Sequence, residues 1–245
     1  MRIRFFAPLA LLTLVSSWAG LAHASVIING TRIIYPAGES EVTVRLNNNG
    51  QTPALVQTWL DDGDAEAKPG SIDVPFTITP PLFRINEGKS QTLRVMSASP
   101  QLPADKESIF WFNSLEIPPK PEATEASQNM IQIAFRTRIK FIYRPDGLPG
   151  KAAEAPANVK WTVKKNTKTY VVQAQNPTPY YVSYGSLKLI SGSQTHDLEN
   201  GMIAPFSSQT FATPATGLQS GARLDYQALN DYGGTIDGTT TLAVP

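Results

Sequence analysis

Chemistry has few places to start on this chain. Beyond residue 24 there is a single histidine, His196, in Ser193-Gln194-Thr195-His196-Asp197, and the chain holds no cysteine. One histidine without thiolates does not build an ordinary zinc site, and a Ser/His/Asp triad has to be assembled around that residue alone, so His196 reads as a solvated loop histidine. Asp61-Asp62-Gly63-Asp64 lacks the spacing and terminal glutamate of a calcium loop and reads as a polar turn. Asn29-Gly30-Thr31 fits a glycosylation acceptor and fits a strand equally well. No nucleophile elbow, dinucleotide fingerprint or phosphate loop is present. The sequence therefore predicts no catalytic centre, no metal and no cofactor. What remains are cations on strands: Arg32, in a first strand from Val26 to Tyr35, and Lys140, on the polar face of a long strand. Two such residues ordinarily form a solvated face.

The element that must position Lys140 runs from Asn129 to Pro145, NMIQIAFRTRIKFIYRP. After Met130 its odd positions are apolar, namely Ile131, Ile133, Phe135, Ile139, Phe141 and Tyr143, with Thr137 the exception. Gln132, Arg136, Arg138, Lys140 and Arg144 take even positions. Period two is the strand signature, with one face seeking a core and the other water or an anion. Strands usually run about five or six residues, so one of about fourteen overshoots its own sheet. With Ile131, Ile133 and Phe135 on one face, the overshoot is an aggregation hazard unless it serves to pair with another protein.

The rest of the chain supplies many short strands. Val42, Val44 and Leu46 end at Asn47-Asn48-Asn49-Gly50, and Leu55, Gln57 and Trp59 alternate with Val56 and Leu60. Phe76 and Ile78 precede Thr79-Pro80-Pro81, then come Leu93 and Val95, and the aromatic run Ile109-Phe110-Trp111-Phe112. No three-turn helical stripe interrupts them, which predicts an all-β chain with sandwich-like turn spacing. Pro118 to Ala126 reads as a loop. Arg144-Pro145-Asp146-Gly147-Leu148-Pro149-Gly150 stops the ladder and marks a hinge. Alternation resumes after it, for a second, smaller sandwich. At the N-terminus, Arg2 and Arg4, an apolar run from Phe5 to Val15 and Ala22-His23-Ala24 read as a secretory leader of residues 1–24. The domains expected are then 25–145 and 146–245. Losing two arginines and no acid with the leader takes the formal charge from +1 to −1. Such a chain has no global attraction to nucleic acid or anionic membrane, and no apolar run reaches the roughly 20 residues of a membrane span.

Several stretches together resemble the periplasmic pilus chaperones, the PapD-like family, across essentially the whole chain after the leader. Leu102-Pro103-Ala104-Asp105-Lys106-Glu107-Ser108-Ile109-Phe110-Trp111-Phe112-Asn113 with Glu116-Ile117-Pro118-Pro119 is similar to the family's signature. Ile131 to Lys140 with Tyr143-Arg144-Pro145 resembles its donor strand. Asn176-Pro177-Thr178-Pro179-Tyr180-Tyr181, Met202-Ile203-Ala204-Pro205-Phe206 and Asn230-Asp231-Tyr232-Gly233 are similar to second-domain motifs. The resemblance implies two immunoglobulin-like β-sandwich domains set as an L with a cleft between them. It implies that Arg32 and Lys140 anchor the C-terminal carboxylate of a pilus (fimbrial) subunit, while Ile131, Ile133 and Phe135 enter the groove left by the subunit's missing strand. It also implies an interdomain charge triad of Glu107, Arg144 and Asp231, and an outer-membrane usher facing Leu55, Gln57, Thr79, Pro80, Pro81 and Arg94. Phe135 departs from the branched aliphatic commoner there, so its groove partner needs extra room. The short stretch between Pro119 and Asn129 resembles the short-loop group of the family.

The function implied is a periplasmic chaperone that folds subunits by donor-strand complementation, caps them and delivers them to the usher, without enzymatic chemistry. A dimer of the free chain that hides its donor strand is a further partner to test. The main alternative is a pilin-like structural adhesin, which calls for one incomplete domain with an N-terminal donor extension. A carbohydrate-directed enzyme needs clustered carboxylates and aromatics, whereas Glu107 and Asp231 have Arg144 between them.

Overall fold

The computed structural model describes residues 25–70, 72–98, 101–118, 133–166 and 168–243. The leader, Ile131, and the stretch between Pro119 and Asn129 lie outside them. In chain order the first half contains β1 (Val26–Ile28), β2 (Arg32–Pro36), β3 (Glu41–Asn48), β4 (Ala54–Asp61), β5 (Phe76–Thr79), β6 (Leu82–Ile85), β7 (Ser90–Ser97), β8 (Ser108–Ile117) and β9 (Phe135–Arg144). They form two sheets, ordered β1-β3-β7-β5 and β2-β9-β8-β4-β6. The alternation read from the sequence faces Leu46, Val56, Leu93, Val95, Phe112 and Phe141 into the space between the sheets, where all are buried. Phe76 sits at the centre of an aromatic cluster, with ring centroids 5.3 Å from Tyr35, 5.2 Å from Phe110 and 4.9 Å from Phe141. Removing such side chains from water stabilises by about 1.5–3 kcal/mol each.

The second half holds β10 (Lys160–Lys165), β11 (Tyr170–Gln175), β12 (Val182–Ser191), β13 (Gln194–Asp197), β14 (Gly201–Ile203), β15 (Ser208–Ala212), β16 (Arg223–Leu229) and β17 (Thr235–Thr241). Its sheets are β10-β11-β15 and β13-β12-β16-β17, with β14 also on β12. Trp161, Val172, Tyr184, Leu187, Leu189, Phe211 and Leu224 fill a second, separate core. Gly147 and Gly150 lie between the sandwiches at φ of 75° and 76°, a conformation that glycine adopts without steric cost. The fold is all-β, two sandwiches with no disulfide between them. No helix of the described residues is long and apolar enough to cross a membrane.

Three local expectations change. The strand read as Val26 to Tyr35 is two strands: β1 pairs with β3, while β2 runs parallel to β9 in the other sheet. The break falls at Gly30, whose φ of 127° lets the chain leave one sheet for the other. His196 is a strand residue, paired with Leu189 and half-buried, because the loop around it folds into β13. Asp61 belongs to the end of β4 and is buried, so the acidic turn begins only after it.

Candidate functional site

Two strands and both domains position Arg32 and Lys140. The parallel pairing of β2 with β9 sets them directly opposite each other, and alternation turns both away from the first core. Each reaches the second domain through a neutral group. Lys140 Nζ donates to Ser183 Oγ at 2.9 Å, and Arg32 Nη1 donates to the Leu229 carbonyl at 3.2 Å. Arg32 Nε is buried without a hydrogen-bond partner among the described residues. Like charges opposite each other in a ladder repel. Burial, and then the charge of Arg32, pull the Lys140 amine down from its ordinary 10.5 to about 8. Burial also lowers Arg32, against the attraction of Asp231 and Glu107. The pair is a positive site with donors to spare and too little negative charge, suited to a carboxylate held by charge-assisted hydrogen bonds.

Four residues further along β9, Arg144 has the opposite surroundings. Its Nε donates to Glu107 at 2.6 Å, and its Nη1 and Nη2 donate to the two oxygens of Asp231 at 2.7 and 2.8 Å. The guanidinium stands 5.5 Å from the centroid of the Tyr180 ring. Glu107 is 2% exposed and also accepts the Tyr181 amide at 2.7 Å. Burial opposes the charge on Arg144, but the hydrogen bonds and charges of Asp231 and Glu107 outweigh it and raise its pKa. Burial pushes the Glu107 carboxyl up, against the pull of Arg144 and the Tyr181 amide. Glu107 and Arg144 come from the first sandwich and Asp231 from the turn after β16, so the Arg144–Asp231 pair closes across the cleft. Beside them lies a cavity of about 280 Å³ lined by Arg32, Ile142, Arg144, Tyr181 and Asp231 among others.

The family model of the pili and flagellar-assembly chaperone PapD N-terminal domain matches residues 25–149. That of the pili assembly chaperone PapD C-terminal domain matches residues 154–240. The chain belongs to the PapD-like pilus chaperones. It is 47% identical over 222 residues to the probable fimbrial chaperone YadV of Escherichia coli, covering 89% of this chain and 90% of that one. It is 43% identical over 234 residues to the chaperone protein FimB/FhaD of Bordetella pertussis, covering 94% and 93%. Among solved structures it is similar to the YadV chaperone, with a TM-score of 0.77 and 42% identity over 89% of this chain and 100% of that one. The Pseudomonas aeruginosa CupB2 chaperone gives a TM-score of 0.75 and 36% identity at the same coverage. The pilin-like alternative is not favoured by these relatives.

In this chaperone β9 is supported unevenly. β8 pairs with it from Phe135 to Tyr143, but β2 covers its other edge only from Lys140 to Arg144. Among the described residues, the edge from Phe135 to Ile139 carries no neighbouring strand in its sheet. Along that half the odd face runs out of its own core. Phe141 is fully buried and Phe135 38% exposed; Ile133, read from the sequence as part of the same strand, precedes its start at Phe135 and is 61% exposed. The residues expected to face an usher divide between the sheets. Leu55 and Gln57 lie on β4, Thr79 ends β5, Pro80 and Pro81 follow it, and Arg94 on β7 pairs with Glu41. Leu55, Thr79, Pro81 and Arg94 are exposed, Gln57 and Pro80 half-buried. The sequence did not single out Ser183, Leu229 or Tyr181 as partners of the charged groups, because their positions depend on how the second domain docks. It also missed the buried Asp61. The signal there was the placement of Trp59 and Asp61, and of Trp111 and Asn113, on the same alternate face as Arg136 and Arg138.

Proposed function

We propose that the chaperone captures pilus subunits by lending them the free half of β9. The observation that carries this reading is that edge, unpaired among the described residues, with Phe135 exposed on it and Ile133 exposed just before it, starting five residues from a cation pair whose own hydrogen bonds go to neutral groups. An exposed apolar strand edge is a template for another chain, and strand addition combines main-chain hydrogen bonds with alternate side chains seated in a groove. Arg32 and Lys140 hold the subunit's terminal carboxylate and so fix its register; Ile131, Ile133 and Phe135 then fill the groove. Glu107, Arg144 and Asp231 keep the domain angle that aligns the two. The loaded chaperone presents Leu55, Gln57, Thr79, Pro80, Pro81 and Arg94 to an outer-membrane usher, where the next subunit's strand replaces the lent one. Residues 1–24 direct export to the periplasm, the family's compartment, and the working domains are 25–145 and 146–245. The brevity of the sequence between Pro119 and Asn129 supports membership of the short-loop group.

The test is co-expression of the exported chain with candidate pilus subunits, followed by affinity capture of soluble complex. Wild type is expected to rescue a subunit, and Lys140→Ala or Arg32→Ala to abolish capture while the chaperone stays folded. Capture that survives both changes refutes carboxylate anchoring.

A further inference from the structure

The free half of β9 is held from an unexpected side. Arg136 and Arg138 point out of the first core on the face of the sheet that also presents Trp59 and Asp61 of β4 and Trp111 and Asn113 of β8. The ladder sets Trp59, Asn113 and Arg138 in one row, and Asp61, Trp111 and Lys140 in the next. Both arginines reach across β8 as far as β4. Arg138 donates through Nε and Nη2 to the two oxygens of Asp61, at 2.9 and 2.5 Å. Asp61 also accepts Asn113 Nδ2 at 2.8 Å and the Gly63 amide at 2.9 Å. Arg136 donates to Asn113 Oδ1 through Nε and Nη2, at 3.0 and 2.8 Å, and to the Ala65 carbonyl at 2.5 Å. The guanidiniums lie over indole rings, Arg136 4.9 Å from Trp59 and Arg138 4.1 Å from Trp111.

The carboxylate of Asp61 is fully buried on the outer face of a sheet, which is a costly place for a charge. Burial pushes its pKa up, but the hydrogen bonds from Arg138, Asn113 and Gly63 prevail and hold it below the ordinary carboxylate range. Apolar side chains of similar volume often stabilise as much as a buried ion pair, whereas a fixed hydrogen-bond geometry can also specify register. Register matters most in this half. With one edge unpaired among the described residues, the strand has little else to prevent slippage, and a slip of one residue turns every side chain to the other face.

We propose that Asp61, with Asn113, Trp59 and Trp111, clamps Arg136 and Arg138 so that the free half of β9 presents its odd face at a fixed distance from the carboxylate anchor. Asp61 is thus a positioning residue for subunit capture, three strands across the sheet from Arg32 and touching no subunit itself. A two-residue slip would preserve the faces but part Arg138 from Asp61 and move Phe135 about 7 Å along the groove. The inference rests on the lent-strand reading, so its test has one arm without any subunit.

In the free chain, amide exchange at the positions of 135–139 bonded to β8 is compared with that at 141–143, in wild type, Asp61→Asn and Arg138→Met. The variants are expected to speed exchange about tenfold in the first stretch and leave the second unchanged. Equal exchange in both stretches overturns the clamp, whatever subunits do. The second arm uses the subunit captured by co-expression and adds the double variant Asp61→Leu/Arg138→Met, which replaces the ion pair with apolar packing. Its melting temperature is expected to return towards wild type while capture stays about tenfold lower, because stability recovers without register. Capture that recovers together with melting temperature shows that the cluster only stabilises the fold and overturns the proposal. Failure of wild type to capture any subunit, with the exchange result intact, sinks the lent-strand reading and with it the role of the clamp in capture.

Discussion

Two cationic sites stand four residues apart on β9 and differ in a single respect. At Arg144 every charge is answered: Glu107 and Asp231 take its hydrogen bonds, and their attraction raises its pKa. At Lys140 a second cation, Arg32, lies opposite, and the partners are a hydroxyl and a carbonyl. Both sites lie between the same two domains and are partly dry. A satisfied site can hold the domains together and has nothing left to offer a ligand. The unsatisfied one costs the free protein stability that an arriving anion would restore, which is what the proposed anchor requires.

The contrast is broken most severely by Arg144→Met, which leaves Glu107 buried without its counter-ion. A loss of about 3–5 kcal/mol is expected in urea unfolding. Lys140→Met should act in the opposite way: it leaves the melting temperature unchanged or raised, because it removes a disfavoured buried charge. Subunit capture by that variant is expected to fall about a hundredfold, read as complex recovered at matched expression.

The comparison is sharpened by making the two sites alike. Ser183→Asp places a carboxylate where Lys140 now meets a hydroxyl, and is expected to raise the Lys140 pKa and to weaken capture about tenfold, since the subunit carboxylate then competes with a resident one. Titration of the Lys140 amine by NMR and capture from the same preparation test both halves of that expectation; capture at wild-type strength despite a raised pKa excludes the pair as the anchor.

The smallest effect is on pH. Lys140 titrates near 8 in the folded chain against an ordinary 10.5. Between those values the unfolded chain binds more protons at this residue, so wild type gains stability relative to Lys140→Met as pH rises through the window. Association with a subunit should weaken over the same range, because the neutral amine no longer attracts a carboxylate while Arg32 remains charged. Opposite slopes in denaturant unfolding and in capture rate are the expected signature; parallel slopes would mean that Lys140 has no part in binding.

Much of the molecule is legible in its sequence. Alternation at Val44 and Leu46 and at Leu93 and Val95 identified buried faces, since a side-chain period of two is a local property of the strand. The odd face of β9 was equally plain, as was the run of proline and glycine that separates the domains. Arg32, Lys140, Glu107, Arg144 and Asp231 were named from the resemblance. Their distances were not legible, because each contact joins residues far apart in sequence. The single strand read from Val26 to Tyr35 failed at Gly30 because hydropathy carries no information on which sheet a strand joins. Asp61 was misread as part of a turn because burial of a charge depends on neighbours from two other strands.

The sequence by itself determined the β class, the division into two sandwiches, the compatibility with an oxidising compartment that comes from having no cysteine, and a strand whose apolar face outruns its own core. These follow from composition and from periodicities that every chain segment expresses locally. Only the tertiary structure decided which cations were satisfied. The docking of the second domain supplies Asp231 to Arg144, yet among the described residues gives Lys140 only Ser183 and Arg32 only a carbonyl. Charge balance at a site is a sum over neighbours in space, and no window of sequence contains them.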